Sequence, residues 1–360
     1  MRLVVKVGTN VLTDNSDQVQ GFKVEEIVSQ IFNLKKDHQI ILVSSGAMAL
    51  GKQALPELEL SQKKQVWAAI GQPLLMNLHA EQAEKFSLEI GQCLLLRDDF
   101  TDRDSYDHFV NTIEGMLTAK ILPIINENDV VAMSDLTVGD NDLLAAMVAV
   151  ALDADKLILL TNQSGLYTAN PDTDADAKLI SEVKNIDAEL EKLYSDKTVS
   201  SLGRGGVLSK IRAARHAVNA GIETYIVDGR KKDVLGDVLS KKDSGTRFLT
   251  TAAKASSLQK RWLMSAKGFG QLVVDDGAVK ALEQGKSLLL PGIIAIKGLF
   301  DKTEIVEIIS KTGLAVAYGK VNYSSQDIQK AVKLKNQTDK KSGILEKEVI
   351  HRNYMVSLKF

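Results

Sequence analysis

Six short apolar runs in the first 250 residues constrain the fold more than any other feature: LVVKV (3–7), IILV (40–43), CLLLR (93–97), ILPII (121–125), KLILL (156–160) and ETYIV (223–227). None alternates apolar with polar residues, so each suits a strand buried on both faces of a parallel sheet. Helix-period segments lie between them. One spans 23–36, with Val24, Ile27, Val28, Ile31 and Leu34 on one face, and others span 61–86, 105–119, 141–152 and 208–220. The alternation predicts a βαβ-wound α/β domain, a three-layer αβα sandwich with a mainly parallel central sheet. Ligands of such sheets bind at the carboxyl ends of the strands, which makes the residues after each run the ones to inspect.

From about residue 261 the pattern changes. QLVVDD, SLLLPG, GIIAIKG, TEIVEIIS and GLAVAYGKV are short β-type segments between Gly, Pro and Asp turns, with one helical piece near 276–284. A small β-barrel-like second domain is expected over 261–345, after an α/β domain over 1–250, and 360 residues suffice for both. The small and polar stretch 245–260 reads as a linker, and the tail 333–348 reads as largely solvated. No internal repeat is present. Charge divides along the same boundary: residues 1–260 carry 29 Lys+Arg against 36 Asp+Glu, and residues 261–360 carry 16 against 10.

No run reaches about 18 apolar residues, and the chain starts directly on a strand-like segment. A soluble, unprocessed, cytoplasmic protein with no membrane partner is the expectation. One cysteine, Cys93, excludes an intramolecular disulfide and argues against a cysteine-based metal cluster. Its place in the apolar QCLLL stretch predicts a core position.

The segments after the strands carry the chemistry. KVGTN puts Lys6 inside an apolar strand and follows it with Gly8, Thr9 and Asn10. A lysine there costs desolvation unless it meets an anion or a carboxylate. It can also snorkel from the sheet end, but the Gly-Thr turn that follows at once favours a ligand contact. SSGA (44–47) is a second small turn, suited equally to anion contact and to a tight strand-to-helix connection. NENDVV (126–131) and VGDND (138–142) place two clusters of acids and amides on one sheet edge, the second opening an apolar helix. N-capping accounts for one of Asp140, Asn141 and Asp142. The remainder points to hydrogen bonding with a substrate that carries amine and carboxylate groups.

TNQSGLYTANP (161–171) follows the fifth run, and SLGRGGVLSK (201–210) is a glycine-rich turn leading into a helix. The latter fails the Walker pattern, because Lys210 follows Ser209 instead of standing directly after the second glycine of the spaced pair. What remains is small residues that let backbone N–H groups approach an anion at a helix start. Lys6 and Lys210 then converge on one edge from opposite ends of the domain, near Gly8, Gly46 and Gly205. That is a phosphoryl-transfer constellation, in which catalysis is mostly positioning and charge neutralisation. The five histidines are scattered, and no Ser nucleophile with a His and acid partner is evident. A carboxylate acceptor would be ionised at neutral pH and would need no general base.

The ordered segments KVGTNVLT (6–13), SSGAMALG (44–51), PIINENDVVA (123–132), VGDND (138–142), LLTNQSGLYTANP (159–171) and GRGGVLSK (203–210) resemble those of the glutamate 5-kinases, within the amino-acid kinase family. The C-terminal segment resembles a PUA domain. The resemblance implies an amino-acid kinase fold and ATP-dependent phosphorylation of the 5-carboxylate of L-glutamate, the first step of proline synthesis. It implies that Lys6 and Lys210 neutralise the transferred group, that Asp142 holds the lysines, and that Gly8 and Gly46 offer backbone donors. Lys6, Ser45, Asp129 and Asn141 would bind glutamate, with Asp129 suited to its ammonium. Thr161 and Asn162, with Arg204, Gly205, Gly206, Val207, Leu208, Ser209 and Lys210, would line the ATP site. Mg²⁺ would bridge ATP phosphates, with no metal ligand assigned to the protein.

Feedback inhibition by proline and a homo-oligomer, tetramer or dimer, also follow from the resemblance. Two departures stand out: Asn162 replaces the family's usual Asp, and GRGGV replaces GTGGM, so that Arg204 stands where a small residue is usual. Another kinase of the same fold, acting on acetylglutamate, carbamate or a nucleotide, is the alternative enzyme reading. RNA binding through the PUA-like segment ranks lower. That segment lacks a dense Lys/Arg stripe interleaved with stacking aromatics, and an allosteric or assembly module explains it at least as well.

Overall fold

In a computed structural model, the first run forms β1 (Arg2–Val7), buried from Leu3 onward. Its side chains alternate between two apolar clusters. Leu3, Val5 and Val7 join Ile40, Leu42, Ile158 and Leu160 on one face, whereas Val4 joins Ile41, Val43, Leu157 and Leu159 on the other. A strand that is apolar at every position therefore has a partner layer for each face, which is why these runs lack polar alternation. The structure describes residues 1–14, 18–132, 141–169, 171, 174, 176–186, 190, 194, 206–242, 245–250, 252, 254, 257–265, 270–337 and 348–358.

The remaining strands of the first part are β2 (Gln39–Ser44), β3 (Ile90–Leu95), β4 (Leu122–Glu127), β5 (Lys156–Thr161), β6 (Leu166–Tyr167), β7 (Leu179–Ile180), β8 (Glu182–Val183), β9 (Glu223–Asp228) and β10 (Thr246–Phe248). The main sheet runs β3-β4-β2-β1-β5-β9-β10-β8, while β6 and β7 form a separate pair. Its neighbours are parallel except β9 and β10. The helices are α1 (Thr9–Leu12), α2 (Gly21–Leu34), α3 (Ala47–Ala54), α4 (Lys63–Glu84), α5 (Asp98–Thr101), α6 (Arg103–Thr118), α7 (Asn141–Ala151), α8 (Gly206–Asn219) and α9 (Val234–Leu239). One face of the sheet is covered by Val24, Ile27, Val28 and Ile31 of α2 and by Val234, Leu235 and Val238 of α9. The other is covered by α6, α7 and α8, and α7 is buried from Leu144 to Ala151 on every side. The fold is the expected three-layer αβα sandwich with a mainly parallel sheet.

A second unit follows α10 (Leu258–Ser265). It contains β11 (Gln271–Val274), α11 (Asp276–Glu283), β12 (Ile293–Lys297), β13 (Ile305–Ile309), β14 (Ala315–Lys320), α12 (Ser325–Gln337) and β15 (Met355–Ser357). Its five strands run β12-β11-β13-β14-β15 around their own cluster, which includes Leu272, Val306, Ile308 and Ile328. Trp262, Leu263 and Met264 of α10, together with Ile305, Tyr318 and Val356, instead belong to the cluster of α7 and α8, so apolar packing is continuous between the two sheets.

Three local expectations differ from the structure. Cys93 is half-buried instead of lying in the core, because β3 is the sheet's edge strand, and burial raises its thiol pKa. Within the stretch read as linker, Thr246–Phe248 pairs with β9 and Phe248 is fully buried. The LPG of SLLLPG is a short 3-10 turn with Pro291 in its first positions, where a missing N–H costs nothing. The start of the tail read as solvated continues helix α12, with Lys333 and Leu334 exposed as expected; residues 338–347 lie outside the described residues. No helix of the described residues is long and apolar enough to cross a membrane.

Candidate active site

Parallel pairing brings the ends of β1, β2, β4 and β5 to one edge, where Lys6 sits opposite Val43 and Leu159. The helices that return across the sheet point their first turns at the same edge. Asp142 is the second residue of α7, and Lys210 lies in the second turn of α8. Lys6 Nζ stands 2.7 Å from Asp142 Oδ1, and Lys210 Nζ stands 2.9 Å from Oδ2. Ser209 Oγ also donates to Oδ2 at 3.0 Å, and Lys210 donates to the Gly206 carbonyl at 3.1 Å. Burial disfavours the Asp142 carboxylate, yet the charges and hydrogen bonds of Lys6 and Lys210 hold its pKa well below the usual range.

Among the described residues, two ammonium groups share this one carboxylate, so the trio by itself is net positive where Lys6 and Asp142 are only 6% and 3% exposed. An uncompensated buried charge costs several kcal/mol, on the order of the penalty for desolvating one ion. A phosphoryl group placed there would offset it.

A network of amides adjoins this centre. Asn141 Nδ2 donates to Ser45 Oγ at 3.0 Å and to Asn126 Oδ1 at 2.9 Å, while Asn141 Oδ1 accepts from the Glu127 N–H at 3.3 Å. Asn126 in turn donates to Gln72 Oε1 at 2.8 Å. Ser44 Oγ meets His79 Nε2 at 3.0 Å, and burial lowers the His79 pKa to about 4, so this imidazole is neutral near pH 7. Asp129 is half-buried, and no hydrogen bond or ion pair to it is found among the described residues. Burial raises its pKa to about 6.

The Ser45–Gly46 turn depends on glycine. Gly46 adopts φ +113 at the start of α3, a conformation that other residues take only with strain. Behind it, α3 and α4 pack backbone to backbone: a Cβ on Gly71 would stand 1.7 Å from the Ala47 carbonyl oxygen, and one on Gly51 would stand 1.8 Å from that of Trp67. Gly71→Ala is therefore expected to push α3 away and destabilise the protein by about 1–3 kcal/mol, as overpacking does. Because Ala47 directly follows the Ser45–Gly46 turn, the same change should also raise the KM of a substrate that binds at that turn. A thermal melt with substrate titration checks both, and an unchanged melting temperature would show that the helices yield freely.

The described chain thus offers a lysine pair on one carboxylate beside a hydrogen-bonded network of amides and Ser45, an arrangement suited to an anionic group. Comparison with known proteins agrees with that chemistry. Residues 1–228 match the model of the family described as "Amino acid kinase family", and residues 270–340 match that of the PUA domain. The chain belongs to the amino acid kinase family. Curated relatives include a glutamate 5-kinase of Citrobacter koseri, 42% identical over 91% of this chain and 90% of the relative. Those of Sodalis glossinidius and Shewanella pealeana are 41% and 42% identical, covering 98% and 99% of this chain and 98% of each relative.

In this kinase, the residues singled out from sequence are distributed as follows. Lys6, Asp142, Ser209 and Lys210 form one hydrogen-bonded cluster, and Ser45 and Asn141 form the adjoining one. The Gly8 N–H donates to the Leu160 carbonyl at 3.2 Å, anchoring the turn after β1. Thr161 ends β5 nearly buried, its hydroxyl 3.4 Å from Oδ1 of the exposed Asn162. Gly206, Val207 and Leu208 form the first turn of α8. Arg204, Gly205 and Asp140 lie outside the described residues.

Sequence reading missed Gln72 and His79, which sit inside the long helix α4 and reach Asn126 and Ser44 across the fold. No local signal marks them, because an isolated polar residue in a helix usually faces solvent. It also missed Asp228, the last residue of β9 on the same edge, which is gripped by Arg230 at 2.9 and 2.8 Å.

Proposed function

We propose that this protein transfers the γ-phosphoryl group of ATP to the 5-carboxylate of L-glutamate, giving L-glutamyl 5-phosphate, the entry step of proline synthesis. The observation that carries this reading is the buried Lys6–Asp142–Lys210 cluster, whose surplus positive charge borders the Ser45–Asn141 pocket. The glutamate 5-kinases matched over nearly the whole chain supply the acceptor.

In the transfer, a glutamate carboxylate oxygen forms a bond to the γ-phosphorus as the bond from phosphorus to the ADP oxygen breaks. The acceptor is ionised at neutral pH, so no proton has to leave and no general base is required. Lys6 and Lys210 neutralise charge on the moving group, and Asp142 orients both ammonium groups. Gly8 and Gly46 let backbone approach the phosphates. Ser45 and Asn141 hydrogen-bond glutamate, and Asp129 receives its ammonium.

Thr161, Asn162, Val207, Leu208 and Ser209 flank the nucleotide, with Arg204 and Gly205 beside them in sequence. Both oxygens of Asp142 are engaged by lysines, and no group of three metal-ligating side chains occurs among the described residues. With Asp142 committed to the lysines, a Mg²⁺ brought in with the nucleotide would supply charge withdrawal from the leaving ADP oxygens.

ADP release, measured with glutamate, acetylglutamate, carbamate and UMP as acceptors and with hydroxylamine to trap an acyl phosphate, tests the assignment. A trapped product from glutamate alone is expected, and turnover of another acceptor with none of glutamate overturns it. In the same preparation, proline should slow turnover, sedimentation should report a dimer or tetramer, and cell fractionation should find the protein in the cytoplasm.

Asp129 predicts a pH dependence. Its pKa is raised to about 6 in the folded protein, so it is an uncharged acid below that pH and an anion above it. The KM for glutamate should therefore rise as pH falls below about 6, and the substrate ammonium should pull the pKa back down on binding. In Asp129→Asn the KM should be high at every pH and its acid limb should disappear. A persisting acid limb in that variant would remove Asp129 from the ammonium site.

A further inference from the structure

At the end of the main sheet opposite the lysine pair, a cavity of about 870 Å³ opens beside the starts of β1, β2 and β5. Arg2 at its wall and Lys6 at the transfer centre stand four positions apart on β1, roughly 13 Å at about 3.3 Å per residue. The cavity is thus a separate compartment. Its lining carries six cationic side chains, Arg2, Lys35, Lys36, Lys120, Lys254 and Arg261, against the carboxylates of Asp37, Asp153 and Asp155.

Most of the pairing is already spent. Lys254 lies 2.8 Å from Asp155 and 3.7 Å from Asp153, and Arg261 lies 3.7 Å from Asp153. Arg2 is neutralised from outside the cavity by Glu114 at 2.7 Å. Lys35, Lys36 and Lys120 remain, with no carboxylate at ion-pair distance among the described residues and only Asp37 left in the lining to balance them.

Two of these cations meet at the end of α6. The Lys35 ammonium donates to the backbone carbonyl of Lys120. Burial first, and then the Lys120 charge, lower the Lys35 pKa. Lys120 occupies a left-handed position, φ 60, at the end of α6, where glycine is the usual choice. Lys36 lies over the Phe32 ring at 5.7 Å, and Phe32, Leu88 and Leu117 give the cavity an apolar wall.

We infer that this cavity binds a small, multiply charged anion, phosphate-bearing or polycarboxylic, with Lys35, Lys36 and Lys120 as its cationic contacts. Lysines act as point charges and do not by themselves separate the two kinds of anion. The volume falls within the range of about 300–1,000 Å³ typical of small-molecule sites and exceeds what a bare ion fills. Arg261 also lines the cavity and stands on α10, the helix leading to the second sheet, so a bound anion touches the junction between the two units.

Calorimetric titration of the full chain with pyrophosphate and, separately, with citrate tests this, with the transfer centre filled by glutamate and a non-hydrolysable ATP analogue. At least one anion is expected to bind, more weakly as salt is raised. Affinity should fall about tenfold or more in Lys35→Ala/Lys120→Ala, since each charge-assisted contact is worth well over 1 kcal/mol. Binding of one anion and not the other identifies the class. Lys36→Ala, which removes only a contact over Phe32, serves as the second variant should the double change disturb folding, and it should weaken the same titration. Absence of binding to the unsubstituted protein, or equal affinity in it and in the variants, overturns the inference.

Discussion

Lys210→Ala is expected to lower kcat by about 10²–10³-fold, the usual cost of deleting one preorganised charge at the transferring group, with the glutamate KM little changed. Lys210 donates to Asp142 and to the Gly206 carbonyl, and no hydrogen bond from it to Ser45 or Asn141 is found among the described residues. Its proposed value lies in the moment when negative charge spreads over the phosphoryl oxygens, and an interaction made only then affects kcat and kcat/KM equally. Lys6→Ala should behave similarly, and the double variant should lose less than the product of the two, because both lysines act on one group. Steady-state kinetics with glutamate and ATP varied separately makes the check. A Lys210→Ala enzyme with normal kcat would remove this lysine from the chemistry, and a rise in glutamate KM alone would move it to substrate binding.

Asp142→Asn should cost both activity and stability. The carboxylate is the common partner of two largely buried ammonium groups, with side-chain exposures of 7% for Lys6 and 13% for Lys210. Breaking such a pair by removing one member typically costs about 3–5 kcal/mol, because the charges left behind stay buried. Here two remain, facing each other. Turnover should fall at least as far as in Lys210→Ala, and denaturant unfolding should shift to a lower midpoint.

The pH dependence has a definite sign. The Asp142 pKa is lower in the folded than in the unfolded chain, so its contribution is present above the unfolded value of about 4 and is lost as pH falls through the folded value. The stability gap between parent and variant should therefore be full at neutral pH and shrink in strong acid. A gap of under about 1 kcal/mol at pH 7 would mean that water or backbone already compensates both lysines.

Much of the architecture was legible because its signals are local. The runs around Val4, Ile41 and Leu157 are apolar at every position, and only a strand covered on both faces uses such a pattern. The face Val24, Ile27, Val28, Ile31 was readable as a helix by spacing and is the buried face of α2. Cys93 was misjudged because its apolar neighbours do not reveal that β3 is an edge strand. A strand-to-helix connection at SSGA was legible, but not that α3 packs on α4 through Gly51 and Gly71, because glycines carry no hydrophobic periodicity.

The candidate site divides in the same way. Lys6 was conspicuous because a charge inside an apolar strand demands a partner, and Asp142 because an acid opens an apolar helix. By itself the sequence determined the layered α/β architecture, a second β-rich unit, and an edge furnished with lysines, small turns, acids and amides. Only the tertiary structure decided that Lys6 and Lys210 share the two oxygens of one carboxylate, that Gln72 reaches Asn126 and His79 reaches Ser44, and that Lys35, Lys36 and Lys120 gather around a cavity at the far end of the sheet. The reason is physical: propensity and periodicity act over a few residues, whereas these contacts join distant segments whose spacing is set by strand register and by how closely helices pack on the sheet.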